Sequence, residues 1–193
     1  MSGIAELLFR LGYEVTGSDL LSSPVTERLE SLGVHCKRGH DPRHVSAADL
    51  VVVSTAIPSD NPERVAAVER GIPTVSRGAM LAELTRLRRT VAVVGSHGKT
   101  TTTAMVTVVL EAAGFDPTAI IGGRVSSLGS NTRFGGGDFM IVEADESDRS
   151  FMQLSPEMAV LTNIDDEHLD AYSDIKDLET SFGTFAQSVA ERG

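Results

Sequence analysis

Two patterns of apolar and polar positions alternate along this chain and predict helices and strands in turn. Segments with apolar residues at helical spacing mostly end at a glycine, which adopts the left-handed conformation that closes a helix at little steric cost. Short, nearly continuous apolar runs lie between them and are typical of strands in a parallel sheet that is covered on both faces. The predicted helices are residues 4–11, 25–32, 62–70, 79–87, 99–113 and 175–191, and the predicted strands are 13–17, 49–54, 72–75, 90–94, 139–142 and 159–161. This alternation predicts an α/β fold built on doubly wound parallel sheets.

A short polar break divides this pattern in two. Arg88 and Arg89 follow the predicted helix 79–87, and a new apolar strand begins directly after them. We therefore expect one α/β domain over residues 1–88 and a second over residues 89–193, a division that the length of the chain allows.

The second domain opens with the layout of a nucleotide phosphate-binding loop. A strand ends at Val94, four loop residues follow, and a lysine and hydroxyl residues begin a helix. In such a loop the backbone N–H groups face the anion, Lys99 adds a positive charge and Thr100 offers an oxygen to Mg²⁺. Val93 stands where the standard pattern has its first glycine, so this loop is shorter, and the alternative is a plain strand–helix turn. The flanking strand and helix favour phosphate binding, which assigns ATP contacts to Gly95, Ser96, His97, Gly98, Lys99, Thr100 and Thr101.

Four carboxylates follow the predicted strand 139–142. Ligands of open α/β sheets bind at the carboxyl ends of strands, where carboxylate oxygens can hold Mg²⁺ against phosphates. Glu143 comes directly after the apolar run and is expected to be the best fixed of the four. The alternative is a solvated acidic loop, but the phosphate-binding loop in the same domain favours a metal site. The carboxylates are Glu143, Asp145, Glu146 and Asp148.

Histidines give weaker signals. His168 lies in a polar cluster after the predicted strand 159–161 and could ligate a metal or polarise a phosphate, although a lone histidine is more often structural. His35, His40 and His44 lie near Cys36, but their spacing matches no standard zinc site. Ser18 and Asp19 follow an apparent strand, at the place of a ribose-binding acid in a dinucleotide fold.

Charge and composition exclude several classes of function. The net charge is −10, without a basic stripe, which argues against a nucleic-acid partner because phosphate neutralisation needs clustered Lys and Arg. Cys36 is the single cysteine, so no intrachain disulfide can form, which suits a reducing cytoplasm. No apolar stretch approaches the ~20 residues of a membrane span, so membrane insertion is not expected.

The motifs together resemble the Mur ligases. The run 95–103 is similar to the ATP loop of that family, and the runs 143–148 and 162–170 resemble its later motifs. Residues 1–6, 54–58 and 80–84 also fit, so the resemblance covers the chain in order. It implies a Rossmann-like first domain that binds the UDP part of a substrate and a P-loop central domain that binds ATP. The implied UDP-sugar contacts are Ser18, Asp19, His40, Ser54 and Ile57.

The resemblance also implies a reaction. In the family member that this chain resembles, ATP phosphorylates the carboxylate of UDP-N-acetylmuramate, and the amine of L-alanine attacks the acyl phosphate, as a step of peptidoglycan precursor synthesis. Carried over, Lys99 contacts the β- and γ-phosphates, Thr100 and Glu143 hold one Mg²⁺, and His168 helps to hold a second. Lys99, Glu143 and His168 are then the expected catalytic residues.

Two alternatives stay open at this point. Murein peptide ligases, which recycle a tripeptide onto the same nucleotide sugar, usually carry a tyrosine at the position of Ser147. A non-catalytic nucleotide-binding module, or a P-loop kinase or GTPase, would share only the loop. The resemblance also implies a strand before Met1, and the rest of the central domain and a C-terminal domain after Gly193. On that ground we expect that these 193 residues alone do not ligate alanine.

Overall fold

The computed structural model describes residues 1–125, 130–166 and 171–190. The chain divides into two compact units, Met1–Met80 and Leu81–Gly193. The domain boundary predicted from the sequence, after residue 88, lies further along the chain than the division between these two units, and it stays a prediction. None of the helices in the described ranges is long and apolar enough to cross a membrane.

The first unit alternates helices with short parallel strands. Strands β1 and β2 pair in parallel, as do β3 and β4, in two separate two-stranded sheets. The elements are α1 (Ser2–Arg10), β1 (Thr16–Asp19), α2 (Pro24–Leu32), β2 (His35–Arg38), β3 (Val51–Val53), α3 (Pro62–Glu69), β4 (Thr74–Ser76) and α4 (Arg77–Thr85), which belongs to the second unit from Leu81 onward.

The residues at the two ends of α2 explain where this helix begins and ends. Ser23 caps its N-terminus by accepting a hydrogen bond from the Thr26 amide, and Pro24 fits its first turn. Gly33 ends it with φ of 105°, and the Phe9 ring of α1 lies 2.9 Å from where a Cβ at Gly33 would be. Glycine is therefore required both by the backbone conformation and by the packing of α1 on α2.

The strand predicted over residues 49–54 differs in length and burial from what the sequence predicts. It is shorter, at Val51–Val53, and all three residues are half-buried rather than fully buried. In the part of the chain that the structure describes, β3 pairs only with β4, so it lies at a sheet edge, where burial is incomplete.

The second unit contains a five-stranded sheet in the order β7-β6-β8-β5-β9. Strands β6, β8, β5 and β9 run parallel, and β7 pairs with β6 in antiparallel orientation. The elements are β5 (Arg89–Val94), α5 (Lys99–Ala112), β6 (Thr118–Val125), β7 (Ser130–Arg133), β8 (Phe139–Glu143), a 3₁₀ turn (Ser150–Gln153), β9 (Met158–Leu161) and α6 (Ile175–Ala190).

The core of this unit holds the carboxyl ends of three strands in register. Val91, Val93 and Ile141 are buried at the centre, and α5 packs over β5, β6 and β8. Val93 pairs with Glu143, and Val94 pairs with Leu161. The loops that follow β5, β8 and β9 therefore leave the sheet side by side.

The predicted α/β class is confirmed, since helices alternate with parallel strands in both units. The antiparallel β7 departs from the predicted parallel sheet, and neither β6 nor β7 was expected from the sequence. Their segment is interrupted by glycines and polar residues, so it shows no continuous apolar run.

Candidate phosphate-binding site

The loop between β5 and α5 has a backbone that only glycine fits at its first position. Gly95 has φ of 128°, and a Cβ there would lie 2.2 Å from Thr162 Oγ1. Gly98 ends the loop at φ of 77° and precedes α5 without offering a side-chain cap. The first amides of α5 therefore have no side-chain acceptor at this cap, which leaves them available to an anion.

The residues after β9 hold this loop in shape. Ser96 donates its amide to the Asn163 carbonyl at 3.1 Å, and its hydroxyl accepts from the Asp165 amide at 2.9 Å. The His97 amide donates to Asn163 Oδ1 at 2.8 Å, and Thr162 Oγ1 donates to the His97 carbonyl at 2.7 Å. The conformation of the loop is thus set by a neighbouring strand end as well as by its glycines.

Lys99 turns back over the loop rather than into solvent. Its Nζ donates to the carbonyls of Gly95 at 2.7 Å and Ser96 at 3.1 Å. It also donates to Oε1 of the buried Glu146 at 2.9 Å. The ammonium lies where the loop backbone, the end of β5 and the turn after β8 meet.

Thr100 and Glu143 form an oxygen pair beside the loop. Thr100 Oγ1 donates to Glu143 Oε1 at 3.0 Å, and the Gly122 amide donates to Glu143 Oε2 at 2.7 Å. A Cβ at Gly122 would lie 2.7 Å from Glu143 Oε1, so glycine leaves room around this carboxylate. A hydroxyl and a carboxylate are suitable Mg²⁺ ligands.

A Mg²⁺ here would need further ligands from outside the chain. Within the described ranges, no group of three or more His, Cys, Asp and Glu side chains could hold a metal ion. Mg²⁺ commonly keeps several waters and takes phosphate oxygens as ligands, so two protein oxygens are sufficient for it.

The remaining predicted residues of this unit differ in position. Thr101 is exposed on the first turn of α5. His97 Nε2 lies 3.4 Å from Asp165 Oδ2, and both side chains are exposed. The pKa of the Asp165 carboxyl is below its usual range, chiefly because the Asp166 amide donates to it, with His97 adding to the effect. His168, predicted to hold a second Mg²⁺, lies outside the described residues.

The four carboxylates that end and follow β8 fall into two pairs with different contacts. Glu143 and Glu146 contact Thr100 and Lys99, respectively. Asp145 accepts from the amide and hydroxyl of Ser147, and Asp148 accepts from the Ser150 amide, so both shape the turn itself. The structure thus brings two of the four carboxylates to the loop.

In the first unit, Ser18 and His40 meet around a glutamate that the sequence analysis missed. Ser18 Oγ lies 3.1 Å from His40 Nδ1 and donates to Glu63 Oε2 at 2.5 Å. His44 Nδ1 lies 2.7 Å from Glu63 Oε1, and the Asp41 amide donates to the same oxygen at 3.3 Å. Glu63 thereby links the end of β1 to the loop after β2.

The charge of Glu63 is stabilised by these contacts. Burial is the largest single influence and raises the pKa of its carboxyl, but hydrogen bonds from Ser18, His44 and the Asp41 amide outweigh it. The pKa therefore lies below its ordinary value of 4.5. In the sequence, the only sign that Glu63 could contact the residues after β1 and β2 is its place in the first turn of α3, the helix after β3.

Three further residues predicted to contact a UDP-sugar lie at strand ends of this unit. Asp19 ends β1, is exposed, and accepts from the Leu21 amide at 3.3 Å. Ser54 follows β3 and accepts from the Ala56 amide at 3.3 Å. The Ile57 carbonyl accepts from Arg64 of α3 at 2.7 Å. The five predicted contacts thus lie at or after the carboxyl ends of parallel strands, where ligands of such sheets bind.

Fold and loop geometry together define an α/β protein with a strand–loop–helix turn of the phosphate-binding type. Comparison with protein-family models narrows this class. Residues 1–89 match the model "Mur ligase family, catalytic domain", and residues 93–193 match the model "Mur ligase middle domain". The chain belongs to the Mur ligase family.

Curated relatives are identical to this chain at about half of the aligned positions. A UDP-N-acetylmuramate–L-alanine ligase of Desulfatibacillum aliphaticivorans is 52% identical over 189 residues, which are 98% of this chain and 41% of the relative. The enzyme of that name from Paracidovorax citrulli is 55% identical over 186 residues, 96% of this chain and 39% of the relative. The chain thus spans about two fifths of the length of these relatives.

Solved structures of the same family superpose closely. A UDP-N-acetylmuramate–alanine ligase from Thermotoga maritima has a TM-score of 0.90 at 32% identity and covers 97% of this chain, which spans 44% of it. A UDP-N-acetylmuramate:L-alanyl-γ-D-glutamyl-meso-diaminopimelate ligase from Neisseria meningitides has a TM-score of 0.89 at 30% identity, over 98% of this chain and 64% of its own. These matches agree with the α/β class of both units.

Proposed function

We propose that this chain is part of an ATP-dependent ligase that joins L-alanine to UDP-N-acetylmuramate in peptidoglycan precursor synthesis. The observation that carries the proposal is the meeting of Lys99, Thr100 and Glu143 at the carboxyl ends of β5 and β8. A cation, a hydroxyl and a carboxylate beside the first amides of a helix are what a metal-bound polyphosphate requires.

The proposed reaction proceeds through an acyl phosphate. The γ-phosphoryl group of ATP passes to the lactyl carboxylate of UDP-N-acetylmuramate, with ADP as the leaving group. The L-alanine amine then attacks the acyl carbon, which forms the amide, releases phosphate and loses a proton. Since ATP is the phosphoryl donor, we place the reaction in the cytoplasm.

Each predicted residue has a proposed part in this reaction. The amides at the start of α5 and the Lys99 ammonium bind the β- and γ-phosphates and offset charge that builds on their oxygens. Thr100 and Glu143 would hold a Mg²⁺, which would supply further positive charge to the phosphoryl oxygens. His168 is proposed as a ligand of a second Mg²⁺. Ser18, Asp19, His40, Ser54 and Ile57 are proposed to contact the UDP-sugar.

The names of the relatives favour L-alanine over a peptide as the amine substrate. The curated relatives at 52–55% identity carry the alanine ligase name, whereas the murein peptide ligase structures are 28–30% identical. A peptide ligase is therefore the less favoured alternative.

Binding of the nucleotide sugar separates the ligase from a bare nucleotide-binding module. We expect that calorimetric titration of the chain detects binding of UDP-N-acetylmuramate, and that Ser18→Ala weakens it about fivefold through loss of one hydrogen bond. Ser31→Ala, which removes an exposed hydroxyl of α2, is the matched control. Binding of Mg²⁺–ATP without any binding of UDP-N-acetylmuramate would favour the module instead.

A further inference from the structure

The ammonium of Lys99 is held by a buried carboxylate to which the sequence motifs gave no individual role. Glu146 is only 2% exposed. Lys99 Nζ lies 2.9 Å from its Oε1, to which it donates a hydrogen bond, and 2.8 Å from its Oε2. In the described part of the chain, Oε2 is buried and accepts no hydrogen bond, so the ion pair with Lys99 is its main stabilisation.

The backbone of Glu146 is fixed from the other side by Tyr172. The Tyr172 hydroxyl donates to the Glu146 carbonyl at 2.7 Å, and burial raises the pKa of Tyr172 to about 12, which keeps the hydroxyl protonated as a donor. The Arg149 guanidinium lies 4.3 Å from the centre of the Tyr172 ring and pairs with Asp177 of α6. The turn after β8 is thus tied to the segment before α6, with its carboxylate facing the loop.

The contacts of the ammonium decide what happens when an anion enters. A lysine ammonium has three donor hydrogens, and Gly95, Ser96 and Glu146 accept all three. A phosphate oxygen can bind Lys99 directly only if one of these acceptors is released. Releasing a neutral carbonyl costs one ordinary hydrogen bond, whereas releasing Glu146 leaves a buried carboxylate without its cation, which is the more costly change.

We propose that Glu146 is a positioning residue, which fixes the Lys99 ammonium at the loop and stays paired with it when a phosphate anion binds. On binding, Lys99 exchanges a backbone carbonyl for a phosphate oxygen, and the charge pair is retained. The second half of this inference rests on the proposed function, because it requires that the loop bind phosphates. The first half concerns the free chain alone.

Limited acetylation of the chain with an amine-reactive acetyl ester tests the first half. The other lysines, Lys37 and Lys176, are exposed and serve as internal references in peptide mass spectrometry. In the unmodified sequence we expect Lys99 to react more slowly than either reference. Glu146→Gln should raise the Lys99 rate about tenfold relative to the references, since the charged acceptor is lost.

Two further variants keep this test decisive. Glu157→Gln removes the carboxylate of the exposed Arg89–Glu157 pair, at the opposite end of β5, and should leave Lys99 unchanged. Tyr172→Phe leaves the carboxylate in place and should raise the Lys99 rate by a smaller factor than Glu146→Gln. An unchanged Lys99 rate in folded Glu146→Gln, as judged by circular dichroism, would overturn the inference.

Titration with inorganic tripolyphosphate and Mg²⁺ tests whether Glu146 stays paired with Lys99 in the bound state. The test depends on whether Glu146→Gln raises or lowers the Kd. If Glu146 positions Lys99 in the bound state, Glu146→Gln should raise the Kd about fivefold, and Glu157→Gln should not. If the anion instead displaced Glu146, loss of a competing negative charge would lower the Kd, and that result or an unchanged Kd would overturn the proposal. Absence of binding by the unmodified chain would contradict the proposed function and this second half, while the acetylation result still decides the first.

Discussion

The Asn163 side chain forms hydrogen bonds with both the backbone amide and the backbone carbonyl of His97. Its Oδ1 accepts from the His97 amide at 2.8 Å, and its Nδ2 donates to the His97 carbonyl at 3.1 Å. Both residues are exposed, so these two hydrogen bonds act on the shape of the loop rather than on burial of a core. The end of β9 therefore sets the conformation in which the loop would receive an anion.

This relationship predicts that Asn163 affects affinity more than stability. Asn163→Ala removes both hydrogen bonds, and we expect the Kd for Mg²⁺–tripolyphosphate to rise about fivefold because the free loop is less ordered. Asn163→Asp keeps the acceptor for the His97 amide but loses the donor, and should have an intermediate effect. Calorimetric titration measures both, and equal Kd values for Asn163→Ala and the unmodified chain would contradict the assigned role.

Gly95 is expected to be irreplaceable, and Gly98 offers a matched comparison. A Cβ at Gly95 would lie 2.2 Å from Thr162 Oγ1 and 2.7 Å from the Asn163 carbonyl oxygen, at φ of 128°. Gly95→Ala should therefore lower the free energy of unfolding by roughly 2–4 kcal/mol. Gly98 also has positive φ, but no atom of the described residues beyond its chain neighbours lies within 4 Å of its Cβ position, so Gly98→Ala should cost only about 1 kcal/mol. Urea unfolding followed by circular dichroism tests this order, and equal losses would contradict it.

The sequence predicted the loop and Glu143 because both are local features. A strand, two glycines, a lysine and hydroxyls occupy consecutive positions, and Glu143 directly follows its apolar strand. Parallel pairing then brings the strand ends together, as Val93 opposite Glu143 illustrates.

The supporting contacts could not be predicted because they depend on residues distant in the chain. The turn that carries Glu146 is held by Tyr172, and Glu63 is separated from Ser18 by α2, β2 and β3. Nothing in the acidic run distinguished Glu146 from Asp145 or Asp148, because burial and not residue type sets it apart.

Glu63 should make the stability of the first unit depend on acid pH. Its pKa is lowered in the folded state, so its contribution is present above the ordinary value of 4.5 and is lost as the pH falls through the folded value. We expect Glu63→Gln to lower the free energy of unfolding by about 1–2 kcal/mol at pH 5, where it loses charged hydrogen bonds. The difference from the unmodified chain should shrink towards pH 3.

Urea unfolding of both proteins at pH 5 and pH 3 measures this difference. Glu69→Gln, at the exposed end of the same helix, should show little effect at either pH. A gap that widens towards pH 3 would contradict the charged role of Glu63.

We expect Glu143 to determine the Mg²⁺ concentration that tripolyphosphate binding requires. Glu143→Gln retains an oxygen that can accept from the Gly122 amide but removes the carboxylate charge beside Thr100. We expect the Mg²⁺ concentration needed for half-maximal tripolyphosphate binding to rise about tenfold. Asp138→Asn, in the exposed position just before β8, is the matched control and should leave the Mg²⁺ requirement unchanged.

The central claim is tested most directly in a full-length context. The chain would replace the matching segment of the Desulfatibacillum aliphaticivorans relative, and phosphate release would be measured with ATP, Mg²⁺, UDP-N-acetylmuramate and L-alanine. We predict phosphate release that requires both UDP-N-acetylmuramate and L-alanine. It should fall at least about 100-fold in Lys99→Ala, through loss of charge stabilisation at the phosphates, and remain unchanged in Lys37→Ala. A folded chimera without release, or release that persists in Lys99→Ala, would contradict the account.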